Sequence, residues 1–306
     1  MTDLTGRHLI AGHWTDGGDS FASSPVTGAP LTVCNGGAAE VDAAMATAEE
    51  AFTVYGWTSR DDRAAFLDAI AEEIEARVDA ITEVGMAETG LPEPRLRSVE
   101  LPRTANQIRL FASHIRKGDY LDRRHDTALP DRQPMPRPDL RIMQRPVGPV
   151  AVFGASNFPL AFSTGSFRGG KALFDLAMSR DEPIPFFGEL GAINPVFVFP
   201  AAQAARGSDL GTAWAGSLTM GVGQFCTNPG VVILQEGDGA EALVSAADKA
   251  LSEVAAQPML TDGVAQGYRS GVARVAGSDA VRTHLRTAAE GRQGGPALFE
   301  VSGCAR

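Results

Sequence analysis

An apolar segment near the middle of the chain reads Pro146-Val147-Gly148-Pro149-Val150-Ala151-Val152-Phe153-Gly154. A short apolar run that ends in glycine predicts a buried strand of a parallel sheet. Helical and strand patterns then follow one another at residues 167–177 (helix), 195–199 (strand), 210–220 (helix), 230–235 (strand), 241–256 (helix), 279–290 (helix) and 297–301 (strand). This alternation predicts an α/β fold.

The sequence before this segment favours helices, and then an extended arm. Apolar residues recur at helical spacing through residues 38–52 and 67–84, and a third helix is predicted over 94–117. Thr58 or Ser59 is placed to cap the second helix. Residues 119–147 contain five prolines, which exclude a helix and predict an arm with an edge strand near 141–145. An exposed edge of this kind invites pairing with another subunit.

The composition sets limits on what the chain does. Its 306 residues are 44% hydrophobic, enough for two or three domains, and its net charge of −10 argues against nucleic-acid binding. No apolar run approaches about 18 residues, so we predict no membrane span. The first residues lack a signal-peptide pattern, which predicts a cytoplasmic protein. Three cysteines and no clustered histidines predict neither a disulfide framework nor a metal site.

Cys226 is the first candidate for chemistry. It lies in Gly221-Val222-Gly223-Gln224-Phe225-Cys226-Thr227-Asn228-Pro229-Gly230, with glycines on both sides. Because glycine has no side chain, such a backbone lets a substrate approach a thiol and leaves N–H groups free to donate to a developing oxyanion. The alternative is a small core residue at a helix–strand junction.

Glu189 and Asn157 are two further candidates. Glu189 lies between apolar residues and glycines, so we expect a buried carboxylate with a raised pKa that suits a general base. Asn157 follows the predicted strand at residues 146–154, where open α/β sheets place their ligands, and its amide can donate to an oxyanion. The alternatives are a strand-end cap for Glu189 and an Asx turn before Pro159 for Asn157.

Together these segments resemble the aldehyde dehydrogenase superfamily. The matching pieces are Ser156-Asn157-Phe158-Pro159, Thr164-Gly165-Ser166, Glu189-Leu190-Gly191 and Gly223-Gln224-Phe225-Cys226. Three segments are similar in sequence to the ketoglutarate semialdehyde (2,5-dioxovalerate) dehydrogenase branch of this superfamily: Phe153–Pro159, Ala192–Pro195 and Phe225–Gly230. The resemblance extends over about residues 5–303.

The resemblance implies a reaction and a role for each candidate. Cys226 would attack an aldehyde to give a thiohemiacetal, and Asn157 with the Cys226 N–H would hold the oxyanion. Hydride would pass to NAD(P)+, and Glu189 would activate the water that hydrolyses the thioester. The implied substrate is a small aldehyde, most similar in branch to ketoglutarate semialdehyde, and a family-like homo-oligomer is expected.

The sequence departs from the family pattern in two places. Asn157 and Thr164 are seven positions apart, where the family has strands, helices and a cofactor-binding lysine. The resemblance therefore implies that about one and a half βαβ units are missing between Ser163 and Thr164. It also implies a C-terminal truncation after residue 303, which removes a Glu-x-Phe-Gly-Pro motif and the oligomerising strand.

The remaining cofactor candidates follow from this incomplete cofactor site. They are Phe153, Gly154, Ala155 and Ser156 at the strand end, and Gly165 and Ser166 at a helix start, where a pyrophosphate is favoured. The choice between NAD and NADP stays open, because the residues that make it are among those missing. We expect low solubility and weak or absent dehydrogenase activity.

The resemblance predicts an incomplete Rossmann-type parallel sheet, an α/β catalytic domain and an N-terminal helical segment with an edge-strand arm. The predicted division has four parts: an N-terminal helical part (1–118), an oligomerisation arm (119–147), a remnant of the NAD(P)-binding domain (148–187) and a truncated catalytic domain (188–306). Two other functions stay open. One is a cofactor-independent thiol esterase that uses Cys226 and Glu189, and the other is a non-catalytic remnant that binds partners.

Overall fold

The computed structural model describes residues 4–154 and 167–303 as a mixture of helices and short strands, which confirms the α/β class. The helices are α1 (Ala38–Tyr55), α2 (Arg60–Ala76), α3 (Val78–Thr89), α4 (Glu93–Arg95), α5 (Leu101–Lys117), α6 (Phe167–Met178), α7 (Pro200–Thr219), α8 (Asp238–Ser252) and α9 (Asp262–Ala276). The strands are β1 (His8–Ile10), β2 (His13–Thr15), β3 (Asp19–Ala22), β4 (Thr32–Asn35), β5 (Arg124–Asp126), β6 (Leu140–Ile142), β7 (Val196–Phe197), β8 (Val232–Ile233), β9 (Gln257–Pro258), β10 (Val281–Arg286), β11 (Gln293–Gly294) and β12 (Ala297–Val301).

The chain divides into two compact units. The first comprises Met1–Ser23, Ala29–Val84 and Glu93–Ala151, and the second comprises Ser24–Gly28, Gly85–Pro92 and Val152–Arg306. The finer division expected at residues 118, 147 and 187 stays a prediction. None of the helices in the described residues is both long and apolar enough to cross a membrane.

Helices α2 and α5 form the centre of the first unit. Small side chains let the two helices approach closely, and the residues that are buried are Ala64 and Ala71 on α2 and Leu101, Ala105 and Ala112 on α5. Two ion pairs join the exposed sides of these helices, with Arg109 and Glu75 held by two bonds of 2.6 and 2.7 Å. Exposed pairs of this kind contribute little, so burial of the apolar faces dominates the packing.

A buried ion pair lies beside these helices, where the chain passes from α4 to α5 through a π-helical turn, Leu96–Glu100. Arg95 Nε donates to Glu100 Oε1 at 2.7 Å, and their side chains are only 9% and 1% exposed. A charge so far from water is tolerated only when another charge or a set of hydrogen bonds compensates it. The pair therefore fixes how this turn packs in the first unit.

The start of α2 matches the predicted capping residue. Ser59 has extended backbone and its Oγ accepts a hydrogen bond from Asp62 N at 3.0 Å, so Ser59 is the cap and Thr58 is not. The apolar stripe over 67–84 predicts one helix, whereas the structure ends α2 at Ala76 and starts α3 at Val78.

Replacing Ser59 with alanine is expected to destabilise the protein by about 1 kcal/mol, because the Asp62 N–H loses its partner at the helix start. Urea unfolding followed by circular dichroism measures the change. The exposed Ser98, replaced in the same way, serves as the control. Equal midpoints for the two variants would show that the cap contributes nothing.

The arm between residues 119 and 147 is a short hairpin. Strand β5 pairs antiparallel with β6, with Arg124 opposite Ile142 and Asp126 opposite Leu140. Gln144 N then donates to Leu121 O at 2.8 Å, which ties the end of the arm to its beginning. The predicted edge strand is therefore present, shifted to Leu140–Ile142.

In the second unit, α7 packs closely on α8. A Cβ atom placed on Gly207 would lie 2.5 Å from the Gly239 carbonyl oxygen, and one placed on Gly211 would overlap the Leu243 carbonyl oxygen. Glycine is required at both positions because the two backbones touch there. The neighbouring apolar core consists of Ala215, Ala247, Leu251 and Leu298. This helix pair supports the loop that follows α7.

The parallel sheet is smaller than the sequence predicts. In the described residues every sheet has two strands, and parallel pairing is confined to β7 with β8. Residues 146–154, predicted as a buried strand, form no strand, and all except the half-buried Gly148 and Pro149 are exposed, with Val147 at 84%. This prediction is wrong in the structure because a central strand needs neighbours on its edges, and no described strand pairs with this segment.

The predicted helix over 279–290 is also wrong. Val281–Arg286 forms β10, which pairs antiparallel with β12 and has a bulge between Thr283 and Leu285. The β-branched Val281 and Thr283 favour a strand, and the partner strand is supplied from 11 positions further on, at Ala297–Val301. Helical spacing in the sequence was outweighed by this pairing.

Candidate active site

Cys226 lies in a tight loop between α7 and β8. Three consecutive residues before it, Gly221, Val222 and Gly223, have φ values of +57°, +58° and +71°. Glycine adopts this left-handed region freely, whereas a β-branched valine there is strained. Strained backbone of this kind persists only where the surroundings hold it, and it is common at functional sites.

Cys226 itself is half-buried and occupies the second position of a four-residue turn. Asn228 N donates to Phe225 O at 3.1 Å and closes the turn. The closing bond of such a turn uses the first carbonyl and the fourth N–H, so it does not engage the N–H of Cys226. The Cys226 N–H is therefore suited to donate a hydrogen bond to a developing oxyanion.

Side-chain hydrogen bonds hold the turn and the residue that follows it. Asn194 Nδ2 donates to the backbone oxygens of Cys226 at 2.8 Å and Asn228 at 3.0 Å. Trp214 Nε1, on α7, donates to Pro229 O at 2.8 Å. Asn228 Nδ2 donates back to Leu218 O, also at 2.8 Å. The backbone is thus fixed at Cys226 and at the residues directly after it.

Gln224 anchors the loop on its other side. Its Oε1 accepts from Leu260 N at 3.0 Å, and its Nε2 donates to Gly221 O at 3.3 Å. Arg292 in turn donates to the carbonyl oxygens of Met259, at 2.9 Å, and of Leu260. The loop is therefore tied through Leu260 to a guanidinium that holds two successive carbonyls.

A cavity of about 280 Å³ lies against the loop within the second unit. Val222, Gly223 and Gln224 form one wall, and Tyr268 and Gly295 lie among its other residues. The Tyr268 hydroxyl donates to Gly295 O at 2.6 Å, and burial raises the pKa of this phenol above its usual value. The hydroxyl is therefore a hydrogen-bond donor at neutral pH.

Glu189 is placed differently from its prediction. It is exposed, in a stretch without helix or strand, so the expectation of a buried carboxylate is wrong. The neighbouring Phe187 is 91% exposed, because few described residues cover this stretch. Leu190 anchors the stretch by packing against Gly170 of α6, and Asn194 anchors it on the Cys226 loop.

The other predicted residues fall in two groups. Phe153 and Gly154 are exposed and end the segment that has no helix or strand where a strand was predicted. Asn157, Ala155, Ser156, Gly165 and Ser166 lie outside the described residues. The structure thus joins the Cys226 loop to the end of the Glu189 stretch, and the assigned roles stay predictions.

Sequence reasoning did not give Asn194, Trp214 or Gln224 a role in the site. Asn194 belongs to the quoted Ala192-Ile193-Asn194-Pro195, and an asparagine before proline at a strand start was the available signal. Its partners are 32 and 34 positions further along, so spacing alone does not reveal the contact.

Comparison with known proteins points to one family. Residues 14–173 match the model of the aldehyde dehydrogenase family. The chain is 37% identical to alpha-ketoglutaric semialdehyde dehydrogenase 2 of Azospirillum brasilense, over 97% of this chain and 72% of that protein. It is also 37% identical to alpha-ketoglutaric semialdehyde dehydrogenase of Acinetobacter baylyi, over 76% of this chain and 58% of that protein.

The alignment with the Azospirillum protein also shows where the two chains differ in length. It extends over 379 residues, more than the 306 of this chain. The alignment therefore includes positions of the relative that have no counterpart here. An internal gap of this kind agrees with the seven-residue spacing between Asn157 and Thr164.

Solved structures agree on the fold. A NAD-dependent benzaldehyde dehydrogenase from Corynebacterium glutamicum superimposes with a TM-score of 0.75 at 17% identity, over 97% of this chain and 80% of that one. A betaine aldehyde dehydrogenase from Staphylococcus aureus, in complex with NAD+, gives a TM-score of 0.78 at 14% identity, over 97% and 74%. The predicted fold type is confirmed.

Proposed function

Because this chain belongs to the aldehyde dehydrogenase family, we propose that it acts in the NAD(P)+-dependent oxidation of an aldehyde to a carboxylate, with Cys226 as the nucleophile. The observation that carries the proposal is the turn at residues 225–228. It holds a half-buried thiol beside an N–H that the turn itself does not use.

The geometry of this turn supports the proposed first step. The Cys226 thiolate adds to the aldehyde carbon, a C–S bond forms, and the carbonyl π pair moves to oxygen. The Cys226 N–H is the donor that the described residues offer to this oxygen, and the Asn157 amide is proposed as the second. The product of the step is a thiohemiacetal. Glu189 is proposed to activate the water that later releases the acid.

The proposed cofactor is NAD(P)+, by analogy with similar solved structures that are complexes with NAD+ or NADP. NAD(P)+ would supply the hydride acceptor. The described residues do not form a cradle for it, since Phe153 and Gly154 lie on exposed chain without a paired strand. We therefore propose that turnover by this chain is weak.

We propose ketoglutarate semialdehyde as the substrate, on the names of the two similar relatives. This aldehyde carries a carboxylate at the far end of its carbon chain. An aldehyde of the same chain length without that carboxylate is pentanal. The pair of aldehydes allows the proposed specificity to be tested separately from the proposed chemistry.

Ketoglutarate semialdehyde is expected to protect Cys226 from iodoacetamide at lower concentration than pentanal does, because the thiohemiacetal removes the thiolate. The extent of alkylation is measured by mass spectrometry of the peptide that contains Cys226, without cofactor. Cys34 in the same samples is the internal control. Equal protection by both aldehydes would contradict the substrate, and protection by neither would contradict the nucleophile.

A second assay addresses the complete reaction. Reduction of NAD+ or NADP+ with ketoglutarate semialdehyde is followed by absorbance, with the Azospirillum relative as the positive control. We expect slower cofactor reduction by this chain than by the relative. Equal rates would contradict the proposed impairment. Hydrolysis of 4-nitrophenyl acetate at a rate that NAD(P)+ does not change, without any cofactor reduction, would favour the thiol esterase.

A further inference from the structure

We propose that Asn194 is a positioning residue for Cys226. Its side-chain amide holds the turn at residues 225–228 in the conformation that directs the Cys226 thiol and N–H at the same substrate carbonyl. The inference rests on the proposed role of Cys226 as the nucleophile. It adds a residue that touches neither the substrate nor the reacting atoms.

The contact geometry supports this role. A primary amide has two N–H groups, and Asn194 directs its nitrogen at two carbonyls of one turn, at 2.8 Å to Cys226 and 3.0 Å to Asn228. These are the second and fourth residues of the turn. One planar group therefore orients the two peptide units that follow Cys226 and Asn228, and the bond from Asn228 N to Phe225 O joins the two units that precede these residues.

The backbone of Asn194 explains why asparagine is used. Its φ is +48°, in the left-handed region that asparagine tolerates better than most side chains. Serine would offer one donor, and an ionised aspartate would offer none and would face two carbonyl oxygens. Asparagine meets both the conformational and the hydrogen-bonding requirement.

The position of Asn194 in the chain adds a second consequence. It lies five residues after Glu189 and two before β7 begins at Val196. The same amide thus ties the stretch that carries the proposed base to the turn that carries the nucleophile. Without the amide bonds, we expect the turn to keep its thiol but to lose the fixed direction of its N–H.

The test compares two reactions of Cys226. Acylation by 4-nitrophenyl acetate develops an oxyanion, whereas alkylation by iodoacetamide is a displacement that develops none. Asn194→Gly keeps the left-handed backbone accessible and removes both donors. We expect its ratio of acylation rate to alkylation rate to fall by about tenfold or more, since loss of an oxyanion donor costs about 10²–10³.

Gln203→Ala is the matched control. Gln203 is a buried amide that bonds Gln235 through both its nitrogen, at 2.8 Å, and its oxygen, at 3.0 Å, near the other end of β8. It does not bond the turn at residues 225–228. This variant is expected to melt at a lower temperature while keeping the acylation-to-alkylation ratio of the original chain.

Each outcome decides the proposal. An unchanged ratio in Asn194→Gly, with only a lowered melting temperature, would overturn it, because a structural role moves stability alone. If Asn194→Gly does not fold, Asn194→Asp keeps the shape without the donors, and the same fall in ratio is required. If the original chain shows no acylation of Cys226, the proposed nucleophile fails first. That result is distinguishable, because it requires no variant.

Discussion

The Cys226→Ser variant is expected to lose aldehyde oxidation and ester acylation by more than about 10³-fold, because it removes the proposed nucleophile of both reactions. A serine hydroxyl is not ionised at neutral pH, and the described turn provides no base for it. The substitution exchanges one atom in a half-buried position. We therefore expect the variant to fold with an unchanged melting temperature.

Cys34→Ser provides the matched control for this prediction. Cys34 is also a half-buried free thiol, in β4, with its Sγ 3.9 Å from Asp16 Oδ1. Its replacement is expected to leave acylation unchanged. Stopped-flow measurement of nitrophenol release gives the rates for both variants. Retention of most of the acylation by Cys226→Ser would show that another group reacts, and the proposed function would then be rejected.

The Glu100→Ala variant is expected to destabilise the first unit by about 3–5 kcal/mol, which is the usual cost of removing one partner from a buried ion pair. Glu100 is 1% exposed and accepts from Arg95 Nε at 2.7 Å. The variant leaves a largely buried guanidinium short of this negative charge. Urea unfolding followed by circular dichroism measures the loss.

Two comparisons make this prediction specific. Glu75→Ala removes one partner of the exposed Arg109–Glu75 pair, and little change in stability is expected there because water solvates both groups. The double variant Arg95→Met with Glu100→Leu removes both charges together and is expected to recover most of the loss. Equal effects of Glu100→Ala and Glu75→Ala would mean that burial of the first pair has no energetic consequence.

Local features of the fold were predictable from the sequence. The cap at Ser59 and the helix over Phe167–Met178 depend on residues a few positions apart, and both are present in the structure. The same holds for the edge strand of the arm and for the strand Ala297–Val301. In each case the sequence of the element itself is enough to predict its conformation.

The failures concern features that depend on distant partners. The apolar run at 146–154 has the composition of a buried strand, but burial requires neighbouring strands that the described residues do not provide. The segment Val281–Arg286 has helical spacing, yet its pairing with β12 decides its structure. A propensity is a weak guide wherever tertiary pairing competes with it.

The candidate site shows the same division. The glycine-rich flanks of Cys226 pointed to the loop of the proposed nucleophile, because the tight backbone is encoded locally. The exposure of Glu189 depends on which distant residues pack over it, and its neighbours in the sequence do not indicate this. The hydrogen bonds of Asn194 reach 32 and 34 positions along the chain, so they were visible only in three dimensions.

The second unit is assembled from pieces that are far apart in the chain. Val26 N donates to Ala87 O at 2.7 Å, and Arg292 donates to Ser24 O across a separation of 268 positions. A ribosome adds about 5–20 residues per second, so Arg292 is made roughly 13–54 s after Ser24. Throughout that interval the segment Ser24–Gly28 lacks its contact with Arg292. We therefore expect this unit to complete its folding only after Arg292 has been made, later than the first unit, whose segments end at Ala151.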